Sequence, residues 1–267
     1  MNEGMDWTLI EHNLNISPTG AAEPLAELPA AMLLDHEQAR TMLEQAGAAV
    51  RADGLVLPAS FAGLSVYYLF AASIIMMAQS NRLPDLSMDN LTLQLERYGD
   101  DHAHLRYLVH RPSGQELPEE PEAMEAFVEQ EVTRYIQEVM VPLVEGIAEA
   151  AGVKSAMIWN QFSGQYTYLK KLFFMQVQDV QAQARFERIY DLILNRVSPE
   201  VFGRRRHPFV HKPRYIDNPA NPEEKWMIRS SCCMYYAREN GRKCFTCPKM
   251  TPSELEERKQ ELLASAK

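Results

Sequence analysis

Apolar positions fall into three patterns along the chain, and each predicts a different element. Residues 36–50 place Ala39, Met42, Leu43, Ala46 and Val50 at helical spacings, giving one apolar side. Residues 55–79 carry no charge and are apolar all round, as in a helix that is either buried on every side or long enough to span a bilayer. Pro58, Ser60, Gly63, Ser65 and Ser73 interrupt it and its flanks lack a strong positive bias, so a core helix beginning near Ser60 is predicted and membrane association is not. Leu91, Leu93 and Leu95 then alternate with Thr92, Gln94 and Glu96, and a second alternating run over 105–109 follows a turn at 99–101. That pattern predicts an antiparallel hairpin with one buried face. Helical spacing returns near Pro121 and runs past Ile136, with Pro142 kinking or dividing the helix and Gly152 ending it. Two more helices are predicted at 154–174 and 177–197. A last one opens at Thr251, with Pro252 in its first turn, Glu254 completing a capping box and Leu255, Leu262 and Leu263 as its packing face. Residues 1–34, broken by Pro18, Pro24 and Pro29, read as an irregular arm. The fold class is α+β, predominantly helical with a small antiparallel sheet.

Composition adds the ordinary balance of a globular chain, 46% hydrophobic and 24% charged over 267 residues. The formal charge of −9 argues against a general nucleic-acid-binding surface. Its distribution is more telling than its sum. Between Pro112 and Val153 there are ten Glu and one Arg, whereas residues 201–216 hold Arg204, Arg205, Arg206, Lys212, Arg214, His207 and His211 with no acid. Pro208 and Pro213 keep this basic strip extended or looped. It either docks on the protein's own acidic stretch or meets an anionic ligand. No basic leader followed by an apolar run opens the sequence, so a reducing cytoplasm is expected.

In that compartment the cysteines read first as metal ligands. All four, Cys232, Cys233, Cys244 and Cys247, lie within residues 232–247. Crowded thiolates repel one another unless a metal neutralises them. Cys244 and Cys247 have the spacing of a chelating turn, but the adjacent Cys232 and Cys233 diverge on an extended backbone and suit one ion only if the chain bends. Two sulfide-bridged irons offer separated ligand positions, so a [2Fe–2S] centre suits the pair; structural zinc and uncoordinated or disulfide-bonded thiols are the alternatives.

The run Arg229-Ser-Ser-Cys232-Cys233-Met-Tyr-Tyr-Ala, followed by Cys244-Phe-Thr-Cys247-Pro248 and a Glu/Leu-rich helix, resembles the C-terminal signature of the FhuF-like ferric siderophore reductases. Met157-Ile-Trp159-Asn160 resembles the Trp/Asn segment of that family and of the related siderophore synthetases. Phe245 departs from the pattern, standing where a small residue is expected. The resemblance implies a C-terminal iron–sulfur subdomain in which Cys232, Cys233, Cys244 and Cys247 hold a [2Fe–2S] cluster. It also implies an oxidoreductase that reduces siderophore-bound iron(III) to iron(II) by one electron, with no catalytic residue beyond the cluster. An anionic ferric chelate would be drawn to Arg204, Arg205, Arg206, Lys212 and Arg214, with Trp159 shaping a pocket. The chain has no G-x-G-x-x-G or P-loop motif, so the electron is expected from an external donor such as a ferredoxin. Residues 1–200 would form the substrate-side body and 201–267 the basic strip and cluster subdomain. Tyr235 and Tyr236 would cover the cluster, and His102 and His104 would share a solvent-facing side of the second hairpin strand. A zinc-organised binding module and an iron–sulfur sensor without turnover are the competing readings.

Overall fold

The computed structural model describes residues 4–99, 102–219 and 221–265. Its centre is the uncharged helix. Helix α3 (Val56–Ser80) begins four residues before the predicted start and ends where Asn81 turns into the left-handed region at φ 54°. By length and composition it could cross a membrane, but most of it is buried inside the fold. Helix α2 (His36–Ala49) lies against it, capped by the Asp35 carboxylate, which accepts from the Gln38 N–H at 2.9 Å. Helices α5 (Val141–Ala151), α6 (Ala156–Gln176) and α7 (Val180–Arg196) also pack on it, leaving a half-buried side at Phe61, Leu64 and Tyr68. Gly63 sets the close approach of α6: a Cβ there would stand 2.3 Å from Ile158 Cγ2.

The predicted hairpin is present as β4 (Leu91–Arg97) and β5 (Ala103–Val109), with Leu93 opposite Tyr107 and Leu91, Leu93 and Leu95 buried. Asp100 and Asp101 of its turn lie outside the described residues. A separate antiparallel pair joins β3 (Arg82–Pro84) to β6 (Gly114–Glu116). The hairpin is the middle of a four-stranded sheet in which β1 (Ile16–Ser17) lies parallel beside β5 and β2 (Ala26–Pro29) antiparallel beside β4. Its outer strands come from the N-terminal segment, which is not an irregular arm. That segment folds as α1 (Thr8–Leu14), β1 (Ile16–Ser17), β2 (Ala26–Pro29) and a 3₁₀ turn over Ala30–Leu34. Met5, Trp7, Ile10, Leu14, Ile16 and Leu28 are buried in the main core. The prolines shorten each element without expelling the segment, because its strands pair with distant partners rather than with each other.

The acidic stretch is one long helix with a fault in it. Helix α4 (Pro121–Tyr135) continues through a π turn at Ile136–Met140 into α5. The wide turn lies immediately before Pro142, where a proline ring would clash with the carbonyl of an ideal α-helix, so the proline is absorbed rather than dividing the helix. Its glutamates are met from α7: Arg196 pairs with Glu125 and Glu129, and Arg188 with Glu125. Among the described residues no ion pair joins this stretch to the basic strip.

Candidate metal centre and adjoining hollows

After the two-stranded ribbon β7 (Arg214–Asn218) and β8 (Asn221–Ile228), the cysteine segment runs as irregular chain into α8 (Pro252–Ser265). It bends where the adjacent pair requires it. Met234, next to Cys233, adopts φ 58°, rare for a side chain of its size, and the Ala237 N–H closes the turn onto the Met234 carbonyl at 2.8 Å. The second pair sits on its own turn, closed by the Cys247 N–H on the Cys244 carbonyl at 2.9 Å. Cys232 and Cys247 are buried with sulfurs 3.5 Å apart; Cys233 and Cys244 are half-buried, and none is in a disulfide. Burial, then the neighbouring Cys232 and Cys244 sulfurs, push the Cys247 thiol up to about 11, so a metal must displace protons on binding.

Two core helices pin this segment. The Ser60 hydroxyl of α3 donates to the Cys233 carbonyl at 2.9 Å and accepts from the Gln161 side-chain amide of α6 at 3.1 Å. The Ser230 hydroxyl donates to the Gln161 carbonyl at 3.2 Å and accepts from the Gly164 N–H at 3.1 Å. On the opposite side the Asp53 N–H donates to the Ala237 carbonyl and the Glu239 N–H to the Arg51 carbonyl, at 3.0 and 2.9 Å. Val50, Leu57, Cys232, Met234 and Cys247 share a small apolar cluster beneath. The predicted capping box forms: the Thr251 N–H donates to Glu254 at 2.8 Å and the Glu254 N–H to the Thr251 hydroxyl at 3.3 Å. Glu254 also takes the Lys243 ammonium at 2.7 Å, and Lys243 first, then the Thr251 N–H, lower its pKa to about 2.

The donor set fits an iron–sulfur cluster. It consists of free thiols from two turns, two of them in contact. Four thiols carried on two turns suit the separated ligand positions of two sulfide-bridged irons. Residues 229–249 match the FhuF 2Fe-2S C-terminal domain. This FhuF-type segment gives the protein a [2Fe–2S] cofactor, and it covers the C-terminal run that resembles the FhuF-like signature in sequence. No curated protein matches the chain. Phe245, the departure from the family pattern, packs edge-on against Trp226 of β8 at 5.7 Å and so ties the second cysteine turn to the ribbon. Tyr235 donates to or accepts from His102 at 2.9 Å under the Arg238 guanidinium, so His102 touches the FhuF-type segment; His104 instead pairs with Glu96 at 2.9 Å.

Two hollows meet at Ser230. One, of about 590 Å³, is a groove between α6 and the ribbon, and it reaches the FhuF-type segment at Arg229, Ser231 and Thr246. The other, of about 550 Å³, is bordered by Arg204, Arg205, Arg206, Trp159, Asn160 and His211. Thus three of the five predicted cations and Trp159 come together, whereas Lys212 and Arg214 border neither hollow. The arginines of this hollow make no ion pair among the described residues. Trp159 is buried, its indole N–H donating to Glu145 at 3.1 Å. Phe209 holds the strip in place, stacked on Tyr166 at 4.7 Å and on Phe70 at 4.9 Å within the core. Sequence reasoning missed Phe209, Ser60 and Gln161; the signal for Ser60 and Gln161 was a polar side chain on the apolar side of each helix.

Proposed function

We propose that the protein is a cytoplasmic ferric siderophore, or ferric chelate, reductase. Cys232, Cys233, Cys244 and Cys247 hold the [2Fe–2S] group, and an external donor such as a ferredoxin supplies its electron. When bound, the group supplies one electron at a time. Iron(III) held by oxygen donors takes that electron, and the resulting iron(II) is held far more weakly and leaves. The observation that carries this reading is four free thiols, on a segment that matches the FhuF 2Fe-2S domain, beside hollows large enough for a chelate. The chain's own part is placement. Ser60, Gln161 and Ser230 fix the cysteine segment on two core helices, the apolar cluster shields one side of it, and Arg204, Arg205 and Arg206 present positive charge to an anionic chelate, with Trp159 as the wall behind. Lys212 and Arg214 contribute to the field at longer range. Residues 1–200 form the substrate-side body in this reading and 201–267 the strip and cluster subdomain.

The test is spectroscopic. Anaerobically purified protein should show visible absorption that bleaches with dithionite and returns on adding ferric siderophore, while iron(II) appears. Replacing any one of the four cysteines by Ser should severely lower cluster content and abolish ferric reduction. A colourless protein with stoichiometric zinc would turn the reading to a binding module; a reducible cluster that passes no electron to ferric chelates would turn it to a sensor.

A further inference from the structure

The two hollows that meet at Ser230 differ in what they offer a ligand. In the basic hollow the FhuF-type segment is represented by Ser230 alone, whose hydroxyl is turned inward onto α6. The groove, in contrast, is floored by Ser231, the neighbour of Cys232, and by Thr246, which lies between Cys244 and Cys247 with its hydroxyl 3.7 Å from the Cys244 sulfur. A molecule resting on Thr246 is therefore about one side chain from a cysteine sulfur. Electron transfer weakens steeply with distance, so the groove is the favourable seat.

Its walls specify a chemistry. Tyr168 and Tyr215 are more than half exposed, at 53% and 55%, and with Trp226 they present three aromatic rings to the groove. Exposed rings of this size carry a solvation cost that a ligand face relieves. Lys171 and Arg229 border the same space and make no ion pair among the described residues. The acid present, Glu224, is engaged by the Asn218 amide at 2.7 Å, and Lys225 lies 3.9 Å from Asp217. Aromatic rings and unpaired cations in one groove select a ligand with negative charge and flat or apolar arms.

We infer that the groove between α6 and the β7–β8 ribbon seats the ferric chelate, and that its ligand is an anionic complex with planar arms. The inference rests on the reductase reading for the identity of the metal complex, and it assigns Lys171, Arg229, Tyr168, Tyr215 and Trp226 as contact residues. The basic hollow then acts as an electrostatic antechamber rather than as the reaction seat.

Gallium(III) separates the two questions, because it matches iron(III) in charge and size but accepts no electron under these conditions. Calorimetric titration of the cluster-loaded protein with a triply negative gallium tris-catecholate and with a neutral gallium trihydroxamate reads binding alone. The tris-catecholate should bind more tightly. Lys171→Glu and Tyr215→Ala, both at exposed positions, should each weaken it by about tenfold with the visible cluster spectrum unchanged. Equal binding by both variants and the parent would overturn the assignment, as would tighter binding of the neutral complex or no binding by the parent. If gallium binds as expected but the dithionite-reduced protein reduces no ferric counterpart, the reductase reading falls and the groove stands.

Discussion

Glu254 shows how much a single carboxylate can join. One of its oxygens takes the Lys243 ammonium from the residue before Cys244, and the other closes the capping box of α8. The same group therefore ties the cysteine turn to the helix that follows. Its pKa stands at about 2 against an ordinary 4.5, lowered first by Lys243 and then by the Thr251 N–H. A depressed carboxylate pKa stabilises the folded state above the unfolded value, and that contribution disappears as pH falls from about 4.5 towards 2. The carboxylate is open to solvent on one side, so solvent screens the effect and its size is small. Glu254→Gln should lower the thermal midpoint at pH 7, and the gap to the parent should close steadily below pH 4.5. A gap that is constant from pH 7 to pH 3 would show that the carboxylate charge plays no part. Ser60 acts on the other side of the same segment: buried in an uncharged helix, it has both the Cys233 carbonyl and the Gln161 amide as partners, which is why a hydroxyl is tolerated there.

Among the elements, α6 carries the heaviest positional duty. It faces the core through Ile158, Phe162 and Tyr166, and it meets the cysteine segment through Gln161 and Gly164. The absence of a side chain at Gly164 is what admits Ser230, since a Cβ would lie 2.8 Å from its hydroxyl oxygen. Gly164→Ala should leave helix content unchanged but push the segment off its seat. We expect several-fold faster loss of the visible chromophore in air, with far-ultraviolet circular dichroism matching the parent; an unchanged rate of loss would show that the Ser230 contact does not hold the segment. Elements of this kind were legible in sequence to the extent that their signals were local. The 91–109 hairpin, the Thr251 capping box and the uncharged core helix each declared themselves within one stretch. Residues 1–34 did not, because β1 and β2 are short and complete their hydrogen bonds on β5 and β4, far along the chain. Nor did the β7–β8 ribbon, whose exposed residues on both faces erase the alternation that marked the hairpin. The cysteine cluster stood out in the sequence, but its spacing left zinc and iron–sulfur both open until the FhuF-like resemblance was added. The anchors Ser60 and Gln161 did not stand out, since each works through a residue tens of positions away.

At the scale of the whole molecule two fields oppose each other. The formal charge of −9 repels an anionic chelate at long range, and the paired acidic face of α4 is its densest part. Arg204, Arg205, Arg206 and the unpaired cations of the groove attract the same chelate at short range. Which field a diffusing ligand feels depends on the screening length, about 30 Å at 0.01 M salt and about 8 Å at 0.15 M. Charges bordering a hollow act within a few ångströms of the approach path, so the local field should dominate encounter. The second-order rate at which reduced protein transfers its electron to a triply negative ferric chelate should then fall by about tenfold between 0.01 M and 1 M salt, and the rate with a neutral chelate should hardly change. Replacing Arg204, Arg205 and Arg206 together by Ala should lower the low-salt rate and flatten its salt dependence without altering cluster content. A rate that rises with salt would mean that the net negative charge governs approach, and the basic strip would then have no part in steering the substrate.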